Sequence, residues 1–81
     1  MTAENVRKIP DGAGLYILFG EHGSVLYIGS AAHLRRRLEE QLHTGLVPAV
    51  EFSFHTTSSV AEAQDLERSL VEQHLPRYNA A

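Results

Sequence analysis

The sequence predicts an α+β fold: a small three-stranded antiparallel sheet with flanking helices, in the order ββαβα. Three observations carry that prediction. Two stretches of alternating β-formers, Gly14 to Phe19 and Val25 to Ile28, are separated by turn residues alone. A third alternating stretch, Val50 to His55, stands apart from them, and two leucine-bearing segments repeat at helical spacing. Helices that follow strands joined as a hairpin pack against an antiparallel sheet, whereas strict strand–helix alternation would build a parallel one.

The first two strands form the hairpin because Gly20-Glu21-His22-Gly23 between them is turn material. Ser30 is placed to cap the next helix, in which Leu34, Leu38 and Leu42 recur at i, i+4 and i+8. Thr44-Gly45 followed by Pro48 ends that helix, so it is expected from about Ala31 to His43. In the third strand Val50, Phe52 and Phe54 alternate with Glu51, Ser53 and His55, which predicts one buried face. Ser59 and Glu62 make a capping box that opens a second helix, with Ala63, Leu66 and Leu70 as its core stripe, and Pro76 stops it. No linker, repeat or low-complexity segment divides the 81 residues, so a single domain over residues 1–81 is expected.

The chain is 43% hydrophobic with three Phe and three Tyr, enough for one core and above the level of a disordered segment. It contains no cysteine, so neither disulfides nor a thiolate metal site brace that core. No apolar run approaches the roughly 20 residues of a membrane span, and the N-terminus lacks a signal peptide's apolar centre. The chain therefore reads as soluble and cytoplasmic, with no membrane partner. A net charge of −3 and a pI near 5.9 argue against tight, unaided binding of nucleic acid by charge alone. The basic residues are nevertheless grouped: Arg35, Arg36 and Arg37 are consecutive, and Arg68 and Arg77 lie near the C-terminus. An acidic body with a local basic face is the result.

Gly14-Leu15-Tyr16 opens one hairpin strand and Tyr27-Ile28-Gly29 closes the other, which brings Tyr16 and Tyr27 near each other. On pattern alone the pair reads as cross-strand packing, and a functional role needs further groups. The first helix supplies one. Arg35 and Arg36 have Glu39 and Glu40 at i+4, as solvated faces do, whereas Arg37 has Gln41 at i+4 and flanks the Leu34-Leu38 stripe. A guanidinium held there suits bidentate contact with a phosphate, although Glu40 at i+3 is placed to neutralise it. The second helix supplies a carboxylate: Glu62 is used in capping, while Glu67 lies beside Leu66 and Leu70 at the margin of the buried stripe. Magnesium keeps several waters and takes one or two protein carboxylates with substrate phosphate oxygens, so one Glu suffices for one metal. The histidines His22, His33, His43, His55 and His74 show neither HExxH spacing nor a cysteine partner, which argues against zinc. His33 and His74 remain auxiliary candidates, and Gly29-Ser30 before a helix is a weak anion-binding signal outside any P-loop or dinucleotide pattern.

Gly14-Leu15-Tyr16, Tyr27-Ile28-Gly29-Ser30-Ala31, Leu34-Arg35-Arg36-Arg37-Leu38, Glu62-Ala63 through Glu67, and Pro76-Arg77-Tyr78-Asn79 together resemble the GIY-YIG nuclease superfamily over nearly the whole chain. The resemblance is closest to the catalytic domain at the N-terminus of UvrC-type excision-repair subunits and to small stand-alone proteins that share it. It implies a metal-dependent endonuclease hydrolysing DNA phosphodiester bonds with Mg²⁺ or Mn²⁺, in repair or recombination, directed by DNA structure or by a targeting protein. On the same resemblance Tyr16 and Tyr27 line the site and one activates the attacking water, Arg37 steadies the phosphate, and Glu67 holds the metal. Ser30, His33, Arg35 and Asn79 face the substrate, Asn79 bracing the site from the C-terminal tail. Repair-type members carry a lysine where this chain has Ser30, so a cation able to lower a tyrosine pKa is missing there. Ser30 and the acidic balance favour a competing reading, a catalytically weak nucleic-acid-binding or protein-interaction module that keeps the fold. A double-strand break by a one-site domain requires two copies or two visits, which makes a homodimer a candidate state.

Overall fold

A computed structural model describes residues 2–79. The order of elements is helix α1 (Ala3–Arg7), strand β1 (Gly14–Phe19), strand β2 (Val25–Ala31), helix α2 (Leu34–Thr44), strand β3 (Glu51–Thr56) and helix α3 (Val60–His74). Single 3₁₀ turns lie at Glu21–Gly23 and Arg77–Asn79. The fold is α+β, and the ββαβα order expected from periodicity is present with α1 added in front. Helix α1 is five residues long, too short to display a period. It starts at Thr2, whose hydroxyl accepts from the Asn5 N–H at 3.2 Å, and it delivers the fully buried Val6 to the core.

The sheet is antiparallel with order β2-β1-β3, so β1 is central and β2 is an edge. Register pairs Tyr16 with Gly29, Ile17 with Ile28 and Leu18 with Tyr27 across the hairpin, and Tyr16 with Phe54 across to β3. Directly opposed residues share a face, which defines two layers. One face carries Tyr16, Leu18, Tyr27 and Ala31 against Val6, Ile9, Leu34 and Leu38 of the α1–α2 side. The other carries Leu15, Ile28 and Ser30 toward α3. Leu34 and Leu38 are 0% exposed, and removing each from water contributes roughly 1.5–3 kcal/mol.

Four expectations need correction. Strand β2 continues through Ala31, so Ser30 lies within it and does not cap α2. The cap position is His33, which makes no side-chain capping bond, and the loop before β1 does the work instead: Asp11 Oδ1 accepts from the Arg36 N–H at 3.1 Å and the Gly12 carbonyl from the Leu34 N–H at 2.9 Å. Of the expected buried face of β3, only Phe52 packs on the core, while Val50 and Phe54 are 45% and 42% exposed, because β3 is an edge and α1 and α2 cover the β1–β2 part of the sheet. The capping box of α3 is half formed. Ser59 Oγ accepts from the Glu62 N–H at 3.2 Å, but the Glu62 carboxylate takes the Ser58 hydroxyl at 2.8 Å.

The fourth correction bears on function. The side of α3 turned to the sheet is Val60, Ala63, Glu67, Leu70 and Val71, whereas Leu66 faces out and is 36% exposed. At about 100° per residue, positions 60, 63, 67, 70 and 71 share an arc of about 100° just as 63, 66 and 70 share a narrower one, so the period allows either face, and in the structure a carboxylate takes the place expected for a leucine. Such a placement calls for a partner, since carboxylates are rarely drawn under cover without one.

Among the described residues no helix is long and apolar enough to cross a membrane.

Candidate functional site

Tyr16 is the centre of the α2-facing half. Its side chain is 0% exposed, and its ring lies 6.0 Å from that of Tyr27, tilted by 39°. Gly29, opposite Tyr16 in the register, leaves the room the ring occupies: a Cβ built there would stand 2.5 Å from Tyr16 Cζ and 2.6 Å from its hydroxyl oxygen. Gly14 permits a second close approach, its Cβ position lying 2.5 Å from both the His55 carbonyl and Leu34 Cδ1. These two contacts explain why glycines bound the tyrosine-bearing strands at these positions.

Helix α2 brings Arg37 and Gln41 to the same tyrosine. Gln41 Nε2 donates to the Tyr16 hydroxyl at 3.5 Å, a long bond, and the Arg37 guanidinium acts on the same oxygen. Burial pushes the Tyr16 phenol up to about 12, with Tyr27 adding to the rise and Arg37 and Gln41 opposing it. The hydroxyl is therefore neutral across the physiological range. Arg37 is half-exposed and its Nε lies 3.4 Å from Glu40 Oε2, the i+3 partner foreseen for it. His33 and Arg35 gather around Asp11, with His33 Nδ1 at 4.0 Å and Arg35 Nη2 at 3.9 Å from Oδ2. The Arg36 N–H bond lowers the Asp11 carboxyl below its usual value, burial opposes it as the next effect in size, and the nearby charges of Arg35, His33 and Arg36 add to the lowering. Arg35 thus faces Asp11 and not the Glu39 expected for it. His33, Arg36 and Arg37 with Glu40 line an open depression beside the start of α2.

Glu67 and Ser30 lie on the other side of the edge strand. They share an open groove of about 420 Å³ with Gln64, Arg68, Val71 and Glu72. Tyr27 and Ser30 are three residues apart on β2 and so point to opposite faces, which means the candidate groups wrap around the β2 edge. Asn79 holds that edge. Its Oδ1 accepts from the Ile28 N–H at 2.9 Å and its Nδ2 donates to the Ile28 carbonyl at 2.8 Å, satisfying outward backbone groups that an edge strand leaves unpaired. Both amide atoms of Asn79 are engaged with Ile28, which gives it a bracing position. His74 sits in the last turn of α3.

The donor chemistry of the groove suits a hard, largely hydrated cation. Among the described residues no group of three or more His, Cys, Asp or Glu is assembled. Glu67 is a half-buried carboxylate in an open groove that leaves room for water, with the oxygens of Ser30 and Gln64 along the same walls. One carboxylate and several waters match magnesium better than they match zinc.

Sequence reading overlooked two positions that shape the candidate site. Gln41 had a signal, since it lies one turn after Arg37 on the same helix face. Asp11 had none, because its role exists only once the loop before β1 meets α2, 25 residues away.

The class that fold and site define is confirmed by comparison: the chain belongs to the UvrC-like GIY-YIG domain family, which it matches over residues 12–80. Its enzyme class is that of the GIY-YIG endonuclease domains, hydrolases of phosphodiester bonds. The UvrABC system protein C of Moorella thermoacetica is 33% identical over 86 residues, spanning 96% of this chain, and that of Gloeobacter violaceus is 35% identical, spanning 94%. In both cases the match takes in 14% of the relative's length. The N-terminal GIY-YIG endonuclease domain of UvrC from Thermotoga maritima, bound to its catalytic magnesium, superposes with a TM-score of 0.79 at 29% identity, covering 99% of this chain and 100% of that one. A point mutant of the same domain, bound to its catalytic divalent cation, gives 0.81 at 27% identity, covering 96% and 93%.

Proposed function

We propose that this domain hydrolyses DNA phosphodiester bonds in the cytoplasm with one divalent cation, Mg²⁺ or Mn²⁺, in repair or recombination, and is directed to its sites by DNA structure or by a protein partner. The observation that carries the reading is Glu67 on the sheet-facing side of α3, across the β2 edge from the Tyr16–Tyr27–Arg37 cluster. The net charge of −3 supports the dependence on DNA structure or a partner.

In this reading Glu67 holds the cation, with waters completing its shell. When bound, the cation offsets charge on the phosphate and makes a water more acidic. Arg37 donates to the phosphate oxygens and exchanges Glu40 for that stronger anion partner. The tyrosine hydroxyls orient the attacking water. Its oxygen bonds to phosphorus, the phosphorus–oxygen bond to the departing sugar breaks, and the departing oxygen takes up a proton. Tyr16, with its phenol raised to about 12, serves at neutral pH as a hydrogen-bonding hydroxyl, and its use as a base depends on cations beside it. Tyr27, half-exposed at the edge, is the better placed of the two to meet solvent and substrate.

The test is cleavage of labelled linear, flap and four-way-junction DNA in Mg²⁺ or Mn²⁺ by the wild type, Glu67→Gln and Arg37→Ala. Cutting by the wild type that falls by at least about 100-fold in each variant is the expected outcome. Folded wild-type protein that binds these DNAs and cuts none of them would replace the reading by a binding module.

A further inference from the structure

We infer that Arg68 is a phosphate-binding residue, gripping the nucleic-acid backbone in the groove that holds Glu67. The inference rests on the nuclease reading and adds a contact to it. The groove is lined by Ser30, Gln64, Glu67, Arg68, Val71 and Glu72, and Arg68 is the one cation of that set. A site that carries only carboxylates, hydroxyl and amide repels a polyanion wherever metal charge does not offset them, and a guanidinium at its wall is the group that reverses this locally.

Arg68 is also free to act. Its side chain is 71% exposed, and the ion pair to Asp65, at 3.5 Å, is an i,i+3 surface contact with a partner that is 75% exposed. Pairs of this kind hold a guanidinium weakly, so a phosphate oxygen displaces the aspartate at little cost. The carboxylates that face Arg68 are Asp65 within its own helix and Glu67 and Glu72 along the groove. A cation held by Glu67 would draw part of that negative field away and leave the guanidinium for the substrate. The α2 cluster reaches phosphates from the other face of β2. Arg37 and Arg68 therefore flank the edge strand from both sides, and a backbone that crosses the edge meets a guanidinium on each.

The experiment uses the whole chain with Glu67→Gln as the uncut-DNA background, and compares it with Glu67→Gln/Arg68→Ala and Glu67→Gln/Arg68→Lys. Binding of labelled duplex and flap DNA is measured between about 50 and 200 mM KCl. Loss of one phosphate contact lowers the slope of log K against log salt by about 1 and weakens binding about tenfold at the low-salt end. Arg68→Lys is expected to restore the slope, since it keeps the charge. Unchanged slope and affinity in Arg68→Ala, with the parent binding normally, overturns the inference and leaves the nuclease reading standing. A parent that binds none of these DNAs at the lowest salt, together with wild-type protein that cuts none, overturns both. A role confined to the Asp65 surface pair would appear as a small change in melting temperature with no change in slope.

Discussion

Gly29→Ala isolates the contact on which the tyrosine site depends. A Cβ at this position would stand 2.5, 2.6 and 2.8 Å from Cζ, the hydroxyl oxygen and Cε1 of Tyr16, about 1 Å short of ordinary contact. A tyrosine tip on the surface would swing away cheaply. Here the ring is rigid and fully buried, with Tyr27 at 6.0 Å and Gln41 at its hydroxyl, so retreat has to displace the core or the strand. Overpacking of this kind costs about 1–3 kcal/mol, against a gain of about 0.4–1 kcal/mol from stiffening the unfolded chain. The clash wins. With about 2 kcal/mol as the central value, a chain of this size should lose about 8–16 °C in Tm, measured by circular dichroism. Cleavage should fall with it even at temperatures where the variant is folded, because the Tyr16 hydroxyl is moved. Adding Tyr16→Leu removes the ring, so the double variant should be less destabilised than the sum of the singles by about 1–2 kcal/mol. A Gly29→Ala protein that melts with the wild type, or strictly additive effects in the cycle, would refute the claim that this glycine exists to seat the tyrosine.

Other expectations follow from the same geometry. Because burial raises the folded-state pKa of Tyr16 from 10.0 to about 12, its contribution is fully present below pH 10 and is lost as pH rises through the folded value. Urea midpoints should drop across that window by the equivalent of about 3 kcal/mol in the wild type, and Tyr16→Phe should remove this part of the decline. Asn79→Ala breaks two hydrogen bonds to Ile28 and should cost about 1–3 kcal/mol, with faster hydrogen exchange at the Ile28 amide. Asn79→Asp keeps the acceptor but sets an oxygen against the Ile28 carbonyl, and should recover only part of the loss. Asp11→Ala should lower Tm by removing the acceptor for the Arg36 N–H, while Asp11→Asn retains most of it. The Asp11 carboxyl is depressed below its usual 3.8, so its stabilisation is present above that value and lost as pH falls through the lower folded one. Asp11→Asn should flatten that acid limb of the stability curve.

What the sequence determined by itself was the part written in short-range pattern. The hairpin, the leucine repeat of α2, the Ser59 cap of α3 and the stops at Gly45 and Pro76 are local choices, and each was legible because period and capping chemistry act over a few residues. The nearness of Tyr16 and Tyr27 followed from the hairpin, Arg37 stood out for its place beside the leucine stripe, and Glu67 stood out as a carboxylate that capping did not use. The tertiary structure alone decided which of two adjacent α3 residues turns inward, Leu66 or Glu67, since a shift of one position on a helix rotates the face by about 100° and the sheet it meets is distant in sequence. It alone decided that Asp11 and not Ser30 supplies the start of α2, that Asn79 closes the edge of β2 at Ile28, and that Val50 and Phe54 stay exposed on an uncovered edge. Each of these depends on contacts between segments tens of residues apart, and periodicity within one segment carries no information about its neighbour in space.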